Sequence, residues 1–534
     1  MYKKLYASIT RWSLSHLLMV IGVSLASSAC VSMPPNTQLP QSTAYTDTKN
    51  TKIGSAVVEA VAVNNNQTGV LLLNTGLNAF GARVALAKAA QRSLDVQYYL
   101  FHRDLSGRLL LDQLLQAADR GVRVRLLVDD MDMADTDLGV AVLDAHPNME
   151  VRLFNPFARD RSRLGQYISR FGSVTRRMHN KSFTADNQMT IIGGRNVGDE
   201  YFGADPSVSF ADMDVLLAGT AVQEVSTSFD LYWNSELSYR VSSLGEKAPT
   251  EVAVQQARKN LNNWVSQQQN SVYVKSLKNS SLALAIENQS INYQWAEVKI
   301  FYDQPNKISS NRDRKDLNMS QYIAPYFEHA KHEILVISPY FVPGKAGTKM
   351  LCDIHKRGVR ISVLTNSLAS TDVAVVHAGY LRYRKKLLQC GIELYEANSK
   401  VVMRDTGSQE YKIESDDKKE KLGLSRSSLH AKMFVFDRRH TFIGSLNLDP
   451  RSIVENTEIG SIIESTTVGE AVAGELNSKI PRLAYKLTLD SEGDVIWTGY
   501  ENGQIITFDV EPDTDFMRRL TTQIMRFMPI ESQI

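Results

Sequence analysis

The sequence predicts an α/β fold of two similar halves related by a pseudo-two-fold axis. Helices flank β-sheets in each half, and the active site lies at the interface between them. Three observations predict this. Strand and helix patterns alternate; the second half of the chain repeats the order of the first; and each half carries one copy of the same polar motif. The copies are RRMHNKSFTADNQMTIIGGRN (Arg176–Asn196) and SLHAKMFVFDRRHTFIGSLN (Ser428–Asn447).

The chain of 534 residues is long enough for two such halves around one large core. Its 60 basic and 58 acidic residues leave a formal charge of +2, which gives no strong field for nucleic acid. The first thirty residues carry Lys3, Lys4 and Arg11, then an uncharged apolar run ending Ser-Ala-Cys30. That is the order of an export signal. The small residues before Cys30 resemble a bacterial lipoprotein box with Cys30 as the lipidated residue, and an uncleaved anchor is the alternative. Both readings put the chain at a membrane of the cell envelope. Residues 31–68, rich in Pro, Ser, Thr and Asn, read as a tether.

Residues 69–245 form the first half. VLLLNTGLNAFGARVALAKAAQRSLDVQYYLF reads as strand, helix, strand, and LSGRLLLDQLLQAADRGVRVRLLVDD as a helix closed near Gly121 followed by a strand. A helical connector spans 246–292. The second half, 293–470, repeats the pattern in WAEVKIFYDQP, MSQYIAPYFEHAKHEILVISPYF and AGTKMLCDIHKRGVRISVLTNS, with RGVR at Arg120–Arg123 and again at Arg357–Arg360. Residues 399–428 read as a solvated loop or a flap over the site. The extension 471–534 carries an amphipathic helix with Phe516, Leu520, Ile524 and Phe527 on one face, expected to pack on the body. Cys352 and Cys390 are expected to pack inside as free thiols, since three cysteines give neither a disulfide framework nor a zinc site.

In each motif His and Lys stand two apart in β-prone sequence, so His179 and Lys181 share a face, as do His430 and Lys432. Asp186 and Asp437 fall at turns and, although counted with the motif, are expected to support it rather than move protons. Asn196 and Asn447 follow the glycines Gly194 and Gly444. One copy supplies a base, a cation and an amide. Two copies face to face supply what in-line displacement at a phosphodiester needs, with no metal and no cofactor. One neutral imidazole attacks phosphorus, the other protonates the leaving alcohol, and Lys181, Lys432, Asn196 and Asn447 hold the oxygens. Each imidazole needs an orienting carboxylate. Glu458 in VENTEIG and Asp214 in FADMDVLLAG are the expected pair.

The doubled HxKxxxxD motif resembles the phospholipase D superfamily. LDVQYYLF, VRLFNPF, GGRNVGDEYFGA, SPYFVP, LTNSLASTDVAVVHAGYLRYRKKLL and IGSLNLDPRSIVENTE resemble bacterial cardiolipin synthases of the C type. The resemblance implies transfer of a phosphatidyl group, with phosphatidylethanolamine as a donor, to phosphatidylglycerol through a phosphohistidine. It implies His179 as nucleophile and His430 as acid and base. Phospholipid hydrolysis is the alternative, since the same residues serve water. A nucleic-acid phosphodiesterase and a non-enzymatic envelope lipoprotein rank below it. Oligomeric state is not legible.

Overall fold

The computed structural model describes residues 33, 36, 39–133, 137–159, 162–170, 172–205, 207–244, 248–288, 290–400, 426–501 and 503–528. Cys30 and most of the 399–428 segment lie outside them.

The first half contributes β1 (Thr68–Leu73), β2 (Ser93–Tyr98), β3 (Arg123–Asp129), β4 (Met149–Phe154), β5 (Ser182–Ala185), β6 (Met189–Gly193), β7 (Val208–Ala211), β8 (Asp214–Ala218) and β9 (Ser238–Arg240). β2, β3 and β4 run parallel, joined by crossover helices such as Leu105–Asp119, while β5, β6, β8 and β1 complete the sheet antiparallel. The second half contributes β10 (Gln294–Tyr302), β11 (Glu333–Ile337), β12 (Arg360–Asn366), β13 (Glu393–Ala397), β14 (Arg426–Leu429), β15 (Met433–Phe436), β16 (His440–Gly444) and β17 (Ile459–Glu464). Its pairings repeat the first: β11, β12 and β13 are parallel, and β15, β16, β17 and β10 are antiparallel. The RGVR repeat marks the same joint in both. Gly121 and Gly358, at φ +90° and +93°, end a helix in the left-handed conformation that a side chain disfavours, and the next strand begins two residues on.

The halves are joined in two ways. β1 pairs antiparallel with the start of β10, so both sheets belong to one 18-stranded array. A shared apolar cluster also lies between them, with Ile192, Val215 and Leu217 from the first half meeting Ile337, Met433, Ile443 and Ile463 from the second. A buried ion pair crosses the same boundary, Arg176 Nε donating to Glu455 at 2.7 Å.

Three expectations change, and the C-terminal extension shows strands that the sequence reading did not name. The segment read as a tether is docked over its described residues: Lys52–Val63 is a helix, and Arg123, Arg125 and Arg152 donate to the carbonyls of Thr43, Ser42 and Pro40. Those arginines satisfy the backbone of a strap that composition alone marks as loose. Cys352 and Cys390 form a disulfide instead of packing as thiols, tying the Gly344–Lys356 helix to the end of the Ala374–Gln389 helix. The C-terminal extension adds β18 (Ala484–Leu489), β19 (Val495–Glu501) and β20 (Gln504–Phe508) to the sheet edge. The Phe516–Met525 helix leaves its apolar face exposed, contrary to the expected packing.

Candidate active site

Short extended segments lead into β5 and β15, and these carry the two His-Lys pairs. Each is tied to the backbone of the opposite half. Met178 bridges Thr457, and the His179 N–H donates to the Thr457 carbonyl at 2.8 Å. On the other side β14 pairs with β7, and the His430 and Ala431 N–H groups donate to the Ala211 carbonyl at 2.8 and 3.0 Å. The residue after each anchor then turns its carboxylate onto the imidazole. Glu458, after Thr457, has Oε2 2.8 Å from His179 Nδ1. Asp212, after Ala211, has Oδ2 2.6 Å from His430 Nδ1. Every member of these two pairs is buried. With the carboxylates accepting, Nδ1 carries the proton on both rings and Nε2 is left for chemistry.

Glu458 thus stands against an imidazole, and Asp214 does not. Sheet register explains the correction. Gly193 pairs with Asp214 and Gly444 with Gly460, so Asp214 is equivalent to Gly460, and the residue equivalent to Glu458 is Asp212. Asp214 instead accepts from Arg83 Nη2 at 2.8 Å and from the Arg195 N–H at 3.2 Å, a buried charge cluster behind the site. Counting two residues back from the strand position opposite each glycine would have found Asp212.

Two residues missed in the sequence hold the segments from below. At the end of β3, Asp129 accepts from the Met178 N–H at 2.9 Å and from Arg177 Nε at 2.8 Å. At the end of β12, the Asn366 side chain exchanges two hydrogen bonds with the Leu429 backbone, at 2.9 and 3.0 Å. Both pin the residue just before a histidine. The signal was their shared place, six residues after the last arginine of each RGVR. Aromatic rings close the sides: Tyr99 meets the His179 ring edge-on at 5.0 Å, and Phe210 stacks on His430 at 5.4 Å.

The remaining predicted residues divide. Lys181 Nζ donates to the His179 carbonyl at 2.7 Å, and Lys432 Nζ lies 2.9 and 3.2 Å from the two ring nitrogens of His430. Both lysines therefore stand beside the imidazoles. The Asn196 amide donates to the Tyr201 hydroxyl at 3.0 Å and its Oδ1 accepts from the Leu100 N–H, whereas the buried Asn447 Oδ1 has no partner among the described residues. Asp186 and Asp437 are not in the site. Asp186 takes the N–H groups of Gln91, Arg92 and Ser93, and Asp437 those of Lys331, His332 and Glu333. Each lies beyond the far end of its strand, roughly 16 Å of extended chain from its lysine. Their place among the catalytic residues is thereby corrected, while the supporting role expected of them matches these contacts.

The two imidazoles differ electrically. Burial, then Lys181, Lys432 and His430, push His179 well below its ordinary value. Burial and Lys432 also lower His430, but Asp212 opposes them. Burial alone would raise Asp212; His430, Lys432 and Arg195 outweigh it and keep the carboxyl ionised. Glu458 goes the other way, raised by burial against Lys181 and Ser445. Burial pushes Lys181 down to about 7 and Lys432 down to about 8. An incoming phosphate anion would restore both ammonium groups.

Comparison with known proteins finds the same doubled architecture. The family described as "Cardiolipin synthase, PLD-like domain" matches residues 84–233 and 323–480, one stretch in each half. Cardiolipin synthase C of Escherichia coli K12 is 38% identical over 481 residues, covering 90% of this chain and 99% of its own. Cardiolipin synthase of Oceanobacillus iheyensis is 22% identical, covering 79% and 71%. Phosphatidylserine synthase of Haemophilus influenzae shares the fold at a TM-score of 0.54 and 12% identity, covering 90% of this chain and all of its own.

Proposed function

Because the chain belongs to the cardiolipin synthase family with phospholipase D-like domains, we propose that it is a phosphatidyltransferase that makes cardiolipin through a phosphohistidine. It is an enzyme of the phospholipase D superfamily, and its substrates are phospholipids. His179 Nε2 attacks the phosphorus of a donor phospholipid, such as phosphatidylethanolamine, while His430 Nε2 gives a proton to the departing headgroup alcohol. The P–O bond breaks as the P–N bond forms. His430, now neutral, takes the proton from a headgroup hydroxyl of phosphatidylglycerol, whose oxygen displaces His179 and releases cardiolipin.

The observation that carries this reading is the cross-half pairing of each imidazole with a carboxylate, Glu458 on His179 and Asp212 on His430. In-line displacement needs a nucleophile and an acid on opposite sides of one phosphorus. The unequal carboxylates separate the roles: ionised Asp212 favours a proton on His430, while His179 is held neutral. Lys181 and Lys432 supply cations for the non-bridging oxygens as charge grows.

The test is lipid analysis of a cardiolipin-deficient bacterium expressing the chain with labelled donors. Labelled cardiolipin is expected, and its absence from the His179→Ala strain. Phosphatidic acid in place of cardiolipin would make the enzyme a hydrolase. The N-terminal segment is proposed to hold the enzyme in the cell envelope as a lipoprotein. Palmitate should then label the wild type and not Cys30→Ala.

A further inference from the structure

The Phe516–Met525 helix and the turn after it rest on the body by one side only. Thr522 is buried, Arg518 Nη2 donates to the Thr371 carbonyl at 3.1 Å, and Arg382 of the Ala374–Gln389 helix donates to the Met528 carbonyl. On the opposite side Phe516, Met517, Leu520, Ile524 and Phe527 are 67, 63, 41, 60 and 82% exposed. At about 100° per residue these five fall within roughly a third of the helix circumference, centred opposite Thr522. A contiguous apolar face turned to water marks an interaction surface.

Charge and position identify what covers it. The stretch FMRRLTTQIMRFM has three arginines and no acidic residue, with Arg519 and Arg526 on the flank between the apolar stripe and the body. A basic flank beside an apolar face suits an interfacial helix lying on anionic lipid. The helix also stands beside the reaction site. Thr371, which Arg518 grips, precedes Asp372, whose carboxylate accepts from the Tyr340 hydroxyl at 2.8 and 2.9 Å. Asp372 in turn lies within electrostatic reach of Lys432. An enzyme that must take its substrate out of a bilayer needs contact with lipid beside its site.

We propose that the Phe516–Phe527 stretch is an interfacial docking helix that seats the mouth of the active site on anionic phospholipid. The proposal rests on the lipid-substrate reading above and adds the element that brings bilayer lipid to the site. Phe516, Leu520, Ile524 and Phe527 enter the headgroup and acyl boundary, and Arg519 and Arg526 meet lipid phosphates at its edge.

The test compares the full chain with a Leu520→Glu, Ile524→Glu variant. Vesicles of phosphatidylglycerol and phosphatidylethanolamine are set against short-chain phosphatidylglycerol dispersed below its micellar concentration. Hydrogen exchange over residues 516–528 is read with and without vesicles. The wild type is expected to gain protection there on vesicles. The variant is expected to lose that protection and roughly tenfold of its vesicle turnover, with short-chain turnover within about twofold of wild type. Equal vesicle turnover in the two proteins, or exchange that vesicles do not change, overturns the proposal. So does protection that depends on protein concentration in the absence of lipid, which would make the face a contact between copies. If neither protein turns over either lipid, the functional reading fails, and exchange on vesicles still decides the docking.

Discussion

Asp212 Oδ2 and His430 Nδ1 stand 2.6 Å apart across the boundary between the halves, and Glu458 Oε2 repeats the relationship with His179 Nδ1 at 2.8 Å. Neither half therefore holds a complete histidine pair of its own. Replacing Asp212 with Asn removes the acceptor that fixes the His430 tautomer and the charge that favours its protonation. Turnover is expected to fall by about 10²–10⁴-fold, the range seen when an orienting carboxylate is lost. Asp214→Asn is the contrast. It leaves the Arg83 and Arg195 cluster short of a buried countercharge, so it should lower thermal stability by the equivalent of about 3–5 kcal/mol while turnover per folded molecule stays near wild type. Equal kinetic losses in the two variants would undo the assignment.

Gly194 occupies the place that Ser445 takes in the second half. A Cβ built on Gly194 would lie 2.2 Å from Asp212 Oδ1, whereas the Ser445 hydroxyl donates to Glu458 Oε2. The Asp212 carboxylate is thus accommodated only because position 194 has no side chain. Gly194→Ala should push Asp212 off His430 and reproduce much of the Asp212→Asn loss. Steady-state kinetics with unchanged circular dichroism checks it; turnover near wild type would show that Asp212 has room to shift.

The His-Lys pairs, the duplicated strand order and Glu458 were all legible because each depends on spacing within one strand or on a repeated pattern. Asp212 was not, because finding it required strand register across a first-half insertion, GADPSVS, that blurs the alignment. Pairing of Cys352 with Cys390 depends on how two helices pack, a fact that lies 38 residues apart in the chain. The C-terminal helix shows the same limit. Periodicity located Phe516, Leu520, Ile524 and Phe527 on one face, but only the position of Thr522 against the body tells which way that face points.

That disulfide closes a loop with a sequence separation of 38 and carries no group of the site. Restricting the unfolded chain over such a length is worth about 3–4 kcal/mol. Cys352→Ser or added reductant should lower the melting temperature, with turnover below the transition unchanged. Disulfides persist in oxidising compartments, so the effect should appear in enzyme recovered without reductant from the compartment where it works. A melting curve indifferent to reductant would show the bond to be absent there.

The pH dependence of kcat/KM follows from which groups must carry a proton in the free enzyme. His179 attacks as the neutral ring, and burial with its cationic neighbours pushes its pKa well below 6.5, so activity should persist below that pH before acid protonates it. The alkaline side belongs to His430, the acid, which burial and Lys432 lower against the pull of Asp212, and to the lysines. Burial lowers Lys181 to about 7 and Lys432 to about 8, and each must be protonated to hold a phosphodiester. As pH rises His430 gives up its proton first and the ammonium groups follow, so kcat/KM should already be declining by about pH 7 to 8, far below the ordinary lysine range. Bound phosphate raises both lysines again, so the decline in kcat should begin at higher pH than the decline in kcat/KM. Rates across pH 5 to about 10 with a lipid whose own ionisation is constant there make the measurement. A kcat/KM flat from pH 7 to beyond about 9 would mean that both lysines keep their protons without substrate, and that something other than buried cations sets the affinity of the site.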